Sequence, residues 1–516
     1  MPHASRPEVV IVGTGQVRRR PALDGPWEPV EPAGLMAAAM AAAFADTGAA
    51  VGPADVDSLA CVPPVAWGYH DLVGAVVRLG DLAPERVSGL TVAPGGNAPV
   101  ELLGRAVNRI LDGDSRVAVV TGGEALYSRR RARREGVALT GWTPFEGHRD
   151  IVGDQRPLTN ALEDRHGLRA PVQCYPLFEN ALRVRAARTI GEHQQYLGRL
   201  MAAHTAVAAA NPYAWFPAQY RPEQLVTPTE DNRWVCFPYP KRLNAIMEVD
   251  QAAAVVVMSA EEADRRAIPV ERRVRFLGGA GATDAWTPTE RTDFVSSPAY
   301  RVAATEALRR SRVDVGDISA FDLYSCFPAA VEMAMDVLGL DIDDPRPRTV
   351  TGGLAYAGGP GNAYSVHGLA AMADRLRGTP DVGLVSALGM TATKHAVCLL
   401  AGSAGPGRRA APVPDETAGR WDKLDMPAEL VTGPPLVDAP EGPATVETYT
   451  VEFDRAGDPA TSVVVLRLPD GRRSVAQGDV TPSAVRVFLE EEGIGRAGVV
   501  TPGDVAAGQP NRFVLA

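Results

Sequence analysis

The sequence predicts an α/β protein made of two similar layered halves with a small β-rich domain behind them, and three observations carry that prediction. Strand, glycine turn and helix follow one another twice in the same order, at an offset of about 260 residues. Each copy ends on a buried strand running into glycine, RVAVVTGGE at 116–124 and DVGLVSALG at 381–389. Beyond residue 443 the chain changes to alternating polar and apolar residues broken by the turns DRAGDP and PDGRR, a pattern of hairpins.

In order, Glu8–Gly15 is a strand entering a glycine turn, Gly34–Ala45 an alanine-rich helix and Val56–Val62 a second strand. Leu90–Leu126 then reads as strand, glycine turn, amphipathic helix, buried strand and glycine pair. In the second copy Arg272–Gly281 matches the first strand and turn, and Val302–Ser311 the first helix. VGDISAFDL at 315–323 echoes VGPADVDSL at 51–59, and Pro347–Gly389 repeats the strand, glycine loop, helix and strand. These limits place one half at 1–267 and the other at 268–403. Within the first half, 127–239 has no counterpart in the second; it is rich in Arg, Pro and aromatics and reads as a lid or substrate-binding insertion, with one helix over Glu179–Ala210. In Met247–Ala263 a small-residue strand meets a helix start, with Ser259 as the cap. Residues 404–443 read as a linker and 444–516 as a β-rich, OB-like domain closed by a helix near Pro482–Glu492.

Composition excludes several function classes. At 516 residues the chain is too long for one core and suggests roughly two to four domains. With 52 basic and 62 acidic side chains the net charge is -10, which argues against a nucleic-acid surface. The local exception is RRRARR at Arg129–Arg134, either a solvated face or a contact for an anionic substrate such as a phosphorylated carrier. The five cysteines show neither CxxC nor Cys/His metal spacing, so no metal is expected, and the pattern fits a reducing cytoplasm. The start of the chain reads as a strand and not as a signal peptide, and no run approaches the ~20 apolar residues of a membrane helix.

The chemistry is expected where the glycine loops of the two halves meet. Thr351–Ala371, TGGLAYAGGPGNAYSVHGLAA, brings a glycine-dense turn straight into a helix, and DLYSCFPAAVE at 322–332 precedes it. Such a turn lets backbone amides approach a ligand closely.

The ordered set of these segments, with MEVDQAAAVVVMS, GGPGN and DLYSCF among them, resembles the thiolase superfamily over about Glu8–Ser403. DLYSCF is similar to the HDCF motif of the sterol-carrier-protein-type thiolases, and the added β domain is similar to that of the type 1 thiolase-like proteins of actinobacteria. The resemblance implies a duplicated thiolase-like α/β/α/β/α core. It also implies an acyl-accepting cysteine, a histidine opening HDCF, a GHP histidine and a proton-shuttling cysteine. Here those positions fall on Gly96, Tyr324, Gly359 and Gly389. Glycine can neither attack a carbonyl nor move a proton, so the two-cysteine mechanism is closed.

What remains as candidate catalytic groups is Tyr324, Cys326 and His395, with Gly96, Asn97, Gly358, Gly359, Asn362 and Gly389 as substrate-binding positions. Cys326 keeps the cysteine of HDCF and is a nucleophile only if a neighbour lowers its pKa. Of the adjacent strand residues Lys394 and His395, one alone can face the cavity. Three readings stay open: C–C bond chemistry on an acyl-CoA or acyl-carrier thioester without an acyl-cysteine, retro-aldol cleavage included; acyl transfer through a relocated nucleophile, Cys326; or acyl and lipid binding without turnover. Some thiolase-like aldolases that work with a partner OB-type domain are similar in layout, which would here be fused. No cofactor is expected beyond coenzyme A as part of a substrate. The expected partners are a small-molecule acyl thioester or an acyl carrier protein, with no nucleic acid or membrane, and the chain as monomer or homodimer.

Overall fold

The computed structural model describes residues 8–21, 27–145, 152–404 and 416–516. The first half runs β1 (Val9–Arg18), α1 (Pro32–Asp46), β2 (Ser58–Val62), α2 (Leu72–Leu79), β3 (Ser88–Leu90), α3 (Ala98–Asp112) and β4 (Val117–Ala125). The insertion supplies α4 (Leu126–Glu135), α5 (Ala161–His166), α6 (Pro171–Arg185), α7 (Ile190–Ala210), α8 (Pro222–Val226), β5 (Trp234–Cys236) and β6 (Tyr239–Pro240). β7 (Asp250–Ser259) and α9 (Ala260–Arg265) close the half, and the Ser259 hydroxyl accepts from the Glu262 N–H at 3.1 Å as the helix cap. The second half is β8 (Val274–Thr283), α10 (Pro298–Ser311), β9 (Ala320–Asp322), α11 (Pro328–Leu338), α12 (Tyr364–Leu376), β10 (Val382–Gly389) and β11 (Lys394–Gly402).

The strand pairings make the duplication explicit. The large sheet has the order β3-β2-β4-β7-β1-β8-β11-β10-β9. In the first half β2 is parallel to β3 and β4, and β7 is antiparallel to β4 and β1. In the second, β9 is parallel to β10, and β11 is antiparallel to β10 and β8. The halves join where Val10 and Ile11 pair with Arg275 and Val274. Helices α3 and α12 touch each other and strands of both halves, while α1 covers the far face of the first half and α10 that of the second. Layers therefore alternate α/β/α/β/α, and the apolar strands read as continuous runs because both of their faces are buried. Both central helices begin at the site, α3 just after Gly95–Gly96 and α12 just after Gly358–Asn362.

The chain then adds β12 (Trp421–Leu424), α13 (Ala428–Val431), β13 (Gly442–Phe453), β14 (Pro459–Arg467), β15 (Arg473–Gly478), α14 (Pro482–Glu490), β16 (Ala497–Thr501) and β17 (Arg512–Leu515). Strands β13-β14-β15-β17-β16 close back on β13 as a small β-barrel, which leaves no free edges among them. β5 extends the barrel through Cys236 opposite Glu452, so the insertion and the barrel share a sheet.

Three expectations about the chain path change. The strand expected at the start of Pro347–Gly389 does not form: the Pro347 and Arg348 carbonyls accept from the Phe321 and Leu323 N–H groups at 2.9 Å each, and the chain then turns into the glycine loop. The single helix over Glu179–Ala210 is broken between Arg185 and Ile190. Ala187 takes a left-handed φ of 53°, and Thr189 starts a new helix in a capping box with Glu192. The stretch 404–443 does more than link: 405–415 lie outside the described residues, but β12 joins the core sheet parallel to β8, and Trp421 is buried against α3.

Candidate active site

A cavity of about 430 Å³ opens where the two halves and the insertion converge. Its walls are Pro94–Gly96 before α3, the start of α6, Ala245 and Met247 before β7, Tyr324, Cys326 and Phe327 before α11, Leu354 and Gly361–Asn362 before α12, Leu388 at the end of β10 and Met390 just after it. The lining is overwhelmingly apolar. Its polar side-chain groups are the Tyr324 and Tyr175 hydroxyls, the Cys326 thiol and the Asn362 amide, whose Nδ2 donates to the Pro63 carbonyl at 2.8 Å.

The space beside Gly96 and Gly389 is filled. A Cβ on Gly96 would lie 2.6 Å from Tyr324 Cζ, closer still to the Tyr324 hydroxyl, and against the Leu388 carbonyl. A Cβ on Gly389 would meet Asn97 Oδ1 and sit 3.2 Å from the Gly96 nitrogen. The two glycine turns thus touch, and the space for side chains there is taken by a phenol and a carboxamide. Asn97 donates through Nδ2 to Glu101 at 3.1 Å, while its buried Oδ1 has no partner. The turn after Gly389 is tight, with Met390 and Ala392 at φ 62° and 56°.

Tyr324 is held from behind. Its backbone N–H donates to Ser386 Oγ at 3.0 Å, and its ring meets Tyr364 edge-on at 5.5 Å between centroids. Asp322, two residues earlier, accepts from Thr349 Oγ1 at 2.9 Å and from the Val350 N–H at 3.0 Å, which ties the Tyr324 segment to the start of the glycine loop. Burial pushes the Asp322 carboxyl up to about 6 against those hydrogen bonds. Burial also raises the Tyr324 phenol, with Cys326 adding to it, so the hydroxyl is a protonated donor at neutral pH.

Cys326 lies in the cavity wall beside Tyr175, whose ring stacks on Phe327 at 4.5 Å and whose hydroxyl accepts from the Ala392 N–H at 3.1 Å. Burial pushes the thiol up to about 12, with the Tyr175 hydroxyl pulling the other way, and no cation among the described lining residues favours a thiolate. Tyr175 was legible in the sequence only as one of the insertion's aromatics; no local signal marks it as a neighbour of Cys326.

The remaining sequence candidates lie off the cavity. His395 and Tyr324 share a separate pocket of about 10 Å³ with Ser297, Tyr300 and Ser386. His395 Nε2 is 3.1 Å from Ser297 Oγ and 2.9 Å from the Ala392 carbonyl, and burial lowers its pKa to about 4, leaving a neutral imidazole. Lys394 points the other way, donating to the Pro94 and Asp154 carbonyls at 3.2 and 3.3 Å. Gly358 packs on the Gln251 side chain, and Gly359 on Leu354 and the Ile246 carbonyl, so both support the wall from outside. Behind the glycine loop sits Glu124, which no sequence motif marks as part of the site. It accepts from the Val65, Ala66 and Ala125 N–H groups at 2.8, 3.0 and 2.9 Å, and burial pushes it up to about 7.

Among the described residues one cluster has donors spaced for a metal: Glu179, His193 and Glu332. Arg188 Nη1 lies 3.5 Å from Glu332 and 3.3 Å from His193 Nδ1, so a cation is already supplied, and the cluster ties α6 and α7 to α11. No described helix is long and apolar enough to cross a membrane.

Comparison with known proteins agrees with this architecture. Residues 425–504 match the family model of the thiolase-like protein type 1 additional C-terminal domain. A crystal structure of a monomeric SCP2-thiolase-like protein type 1 from Mycobacterium smegmatis is 30% identical over 99% of both chains, with a TM-score of 0.80. The Ltp2-ChsH2(DUF35) aldolase is 22% identical over 79% of this chain and 100% of that one, with a TM-score of 0.58. The acetyl-CoA acetyltransferase from Syntrophomonas wolfei is 17% identical over 77% and 99%, with a TM-score of 0.54. No curated protein matches the chain. With its duplicated core, its added barrel and its full-length match to the mycobacterial protein, the chain belongs to the SCP2-thiolase-like proteins type 1 of the thiolase superfamily.

Proposed function

We propose that the chain binds the acyl part of a thioester in the apolar cavity and makes or breaks a C–C bond beside the carbonyl without an acyl-cysteine. The supporting observation is the filling of both sulfur positions: the Tyr324 hydroxyl stands in the space beside Gly96, and Asn97 Oδ1 in that beside Gly389. A phenol kept protonated by burial is a hydrogen-bond donor, as an enolate oxygen requires. In a retro-aldol step the β-hydroxyl of the substrate gives its proton to water, the Cα–Cβ electron pair becomes the enolate, and a carbonyl compound departs. Protonation at Cα then yields the shortened acyl thioester. No acyl-enzyme is needed at any point. The same fold in an aldolase and in an acetyltransferase leaves the choice of chemistry to the site.

A second reading, acyl binding without turnover, is favoured by the lack of any carboxylate or imidazole among the described lining residues. Transfer through Cys326 is opposed by the raised thiol pKa. Deuterium exchange at Cα of short acyl thioesters in heavy water, followed by mass spectrometry, separates the readings. Exchange that disappears in Tyr324→Phe supports enolate chemistry. Binding without exchange or cleavage of any β-hydroxyacyl or β-ketoacyl thioester leaves the non-catalytic reading.

A further inference from the structure

Among the described residues none that lines the cavity is cationic, which places the anionic end of a thioester outside that lining. Lys394 is tied up behind the wall on the Pro94 and Asp154 carbonyls, and an exposed positive field lies on α4, which connects to the cavity wall. Met247 lines the cavity and is 40% exposed, its neighbour Glu248 pairs with Arg130 of α4 at 2.8 Å, and Tyr127 of α4 lies 5.4 Å from the Trp215 ring. The helix turns Leu126, Ser128 and Ala132 inward and exposes Arg129, Arg130, Arg133 and Arg134. Among the described residues Arg129, Arg133 and Arg134 form no ion pair. Ser128 anchors the helix on Asp250, whose carbonyl also accepts from the Arg19 N–H. The exposed Arg18–Arg20 of the β1 end therefore continue the same basic surface. On a chain of net charge -10, this is a concentrated local reversal of sign.

We propose that this arginine face is the docking surface for an acidic carrier protein that presents an acyl group, on a phosphate-terminated thioester arm, to the mouth of the cavity. The proposal rests on the acyl-binding reading given above. Opposite fields bring such a partner in and orient it, while the acidic remainder of the surface repels it elsewhere. Several guanidinium groups along one helix face suit a spread of partner carboxylates with a phosphate among them. A membrane surface fits less well, because the exposed face of α4 is charged and carries no apolar anchor.

The test uses the full chain and four probes: an octanoyl-loaded acidic acyl carrier protein, octanoyl-CoA, the phosphate-free octanoyl-N-acetylcysteamine thioester, and phosphatidylglycerol vesicles. Affinities are compared with those of Arg129→Glu/Arg133→Glu/Arg134→Glu and of the corresponding triple Gln variant, whose folding is checked by circular dichroism. Carrier binding should fall about tenfold or more in the Glu variant, by less in the Gln variant, and further with rising salt. The phosphate-free thioester should bind all three proteins equally. Carrier binding that is absent or equal in all three proteins overturns the proposal, as does arginine dependence confined to free octanoyl-CoA or to vesicles. Failure of the phosphate-free thioester to bind any of them overturns the cavity reading, and the carrier arm reads the docking face separately.

Discussion

The Tyr324 hydroxyl occupies the space into which a side chain on Gly96 would project. One of these two positions can carry bulk, and this chain gives it to the phenol.

A side chain at 96 is therefore expected to conflict with Tyr324. Gly96→Ala should cost roughly 1–3 kcal/mol in urea unfolding, the usual range for overpacking. Truncating the partner as well, Gly96→Ala/Tyr324→Ala, should recover part of that loss, with a coupling of at least ~0.5 kcal/mol. The Leu388 carbonyl keeps the recovery partial. Strict additivity would place the two residues apart.

If the Tyr324 hydroxyl is the donor to the enolate oxygen, Tyr324→Phe should lower exchange or cleavage by about 10²-fold, the scale of one oxyanion donor. Binding of the phosphate-free thioester should stay within about twofold, because the ring that lines the cavity is kept. Loss of binding in step with rate would make the hydroxyl a packing group.

All five cysteines are free and buried, and burial raises the Cys326 thiol to about 12. Native protein at pH 7.5 should resist a small thiol reagent at Cys326, react there after denaturation, and show no acyl adduct by intact mass after incubation with acyl-CoA. An adduct lost in Cys326→Ser would restore the relocated-nucleophile reading.

His395 is neutral in the fold, with a pKa lowered to about 4 by burial, and it takes a proton more readily once unfolded. Its contribution to stability is present above the unfolded value near 6.5 and is lost as the pH falls through about 4. Buried carboxyls such as Asp322 and Glu124, raised by burial, act in the opposite sense over this range. The informative quantity is thus a difference: the Tm of the wild type minus that of His395→Asn should shrink between pH 7 and 4.5. A constant difference would mean that the imidazole titrates in the fold as it does in the unfolded chain.

Arg473 is fully buried in the barrel, pairs with Glu447 at 2.6 Å and donates to the Thr289 carbonyl of the second half at 2.8 Å. Arg473→Met leaves Glu447 with Arg467 as its remaining partner and leaves the Thr289 carbonyl without its guanidinium donor. A loss of roughly 1–3 kcal/mol is expected in denaturant titration, the cost of a buried acceptor left without its donor.

The glycine loops and the strand-helix grammar of both halves were legible because they are local: a turn that needs close backbone approach is written as glycine, and a buried strand as a run of small and branched residues. Tyr324, Cys326, Gly96 and Asn362 were named from motifs and line one cavity. His395 was named by its place after Gly389, but neighbours on a strand face opposite sides, and the sheet turned His395 toward Ser297 and Lys394 toward Pro94. Tyr175, Glu124 and the entry of Trp421 into the core sheet join segments far apart in the chain, which no local pattern encodes.

By itself the sequence determined a duplicated core and an added β domain, since each of these follows from residue type and order. The tertiary structure alone decided what fills the space beside Gly96 and Gly389 and which side chains reach the cavity. Those outcomes depend on how the halves and the insertion close on one another, a matter of packing over distances that short-range pattern does not span.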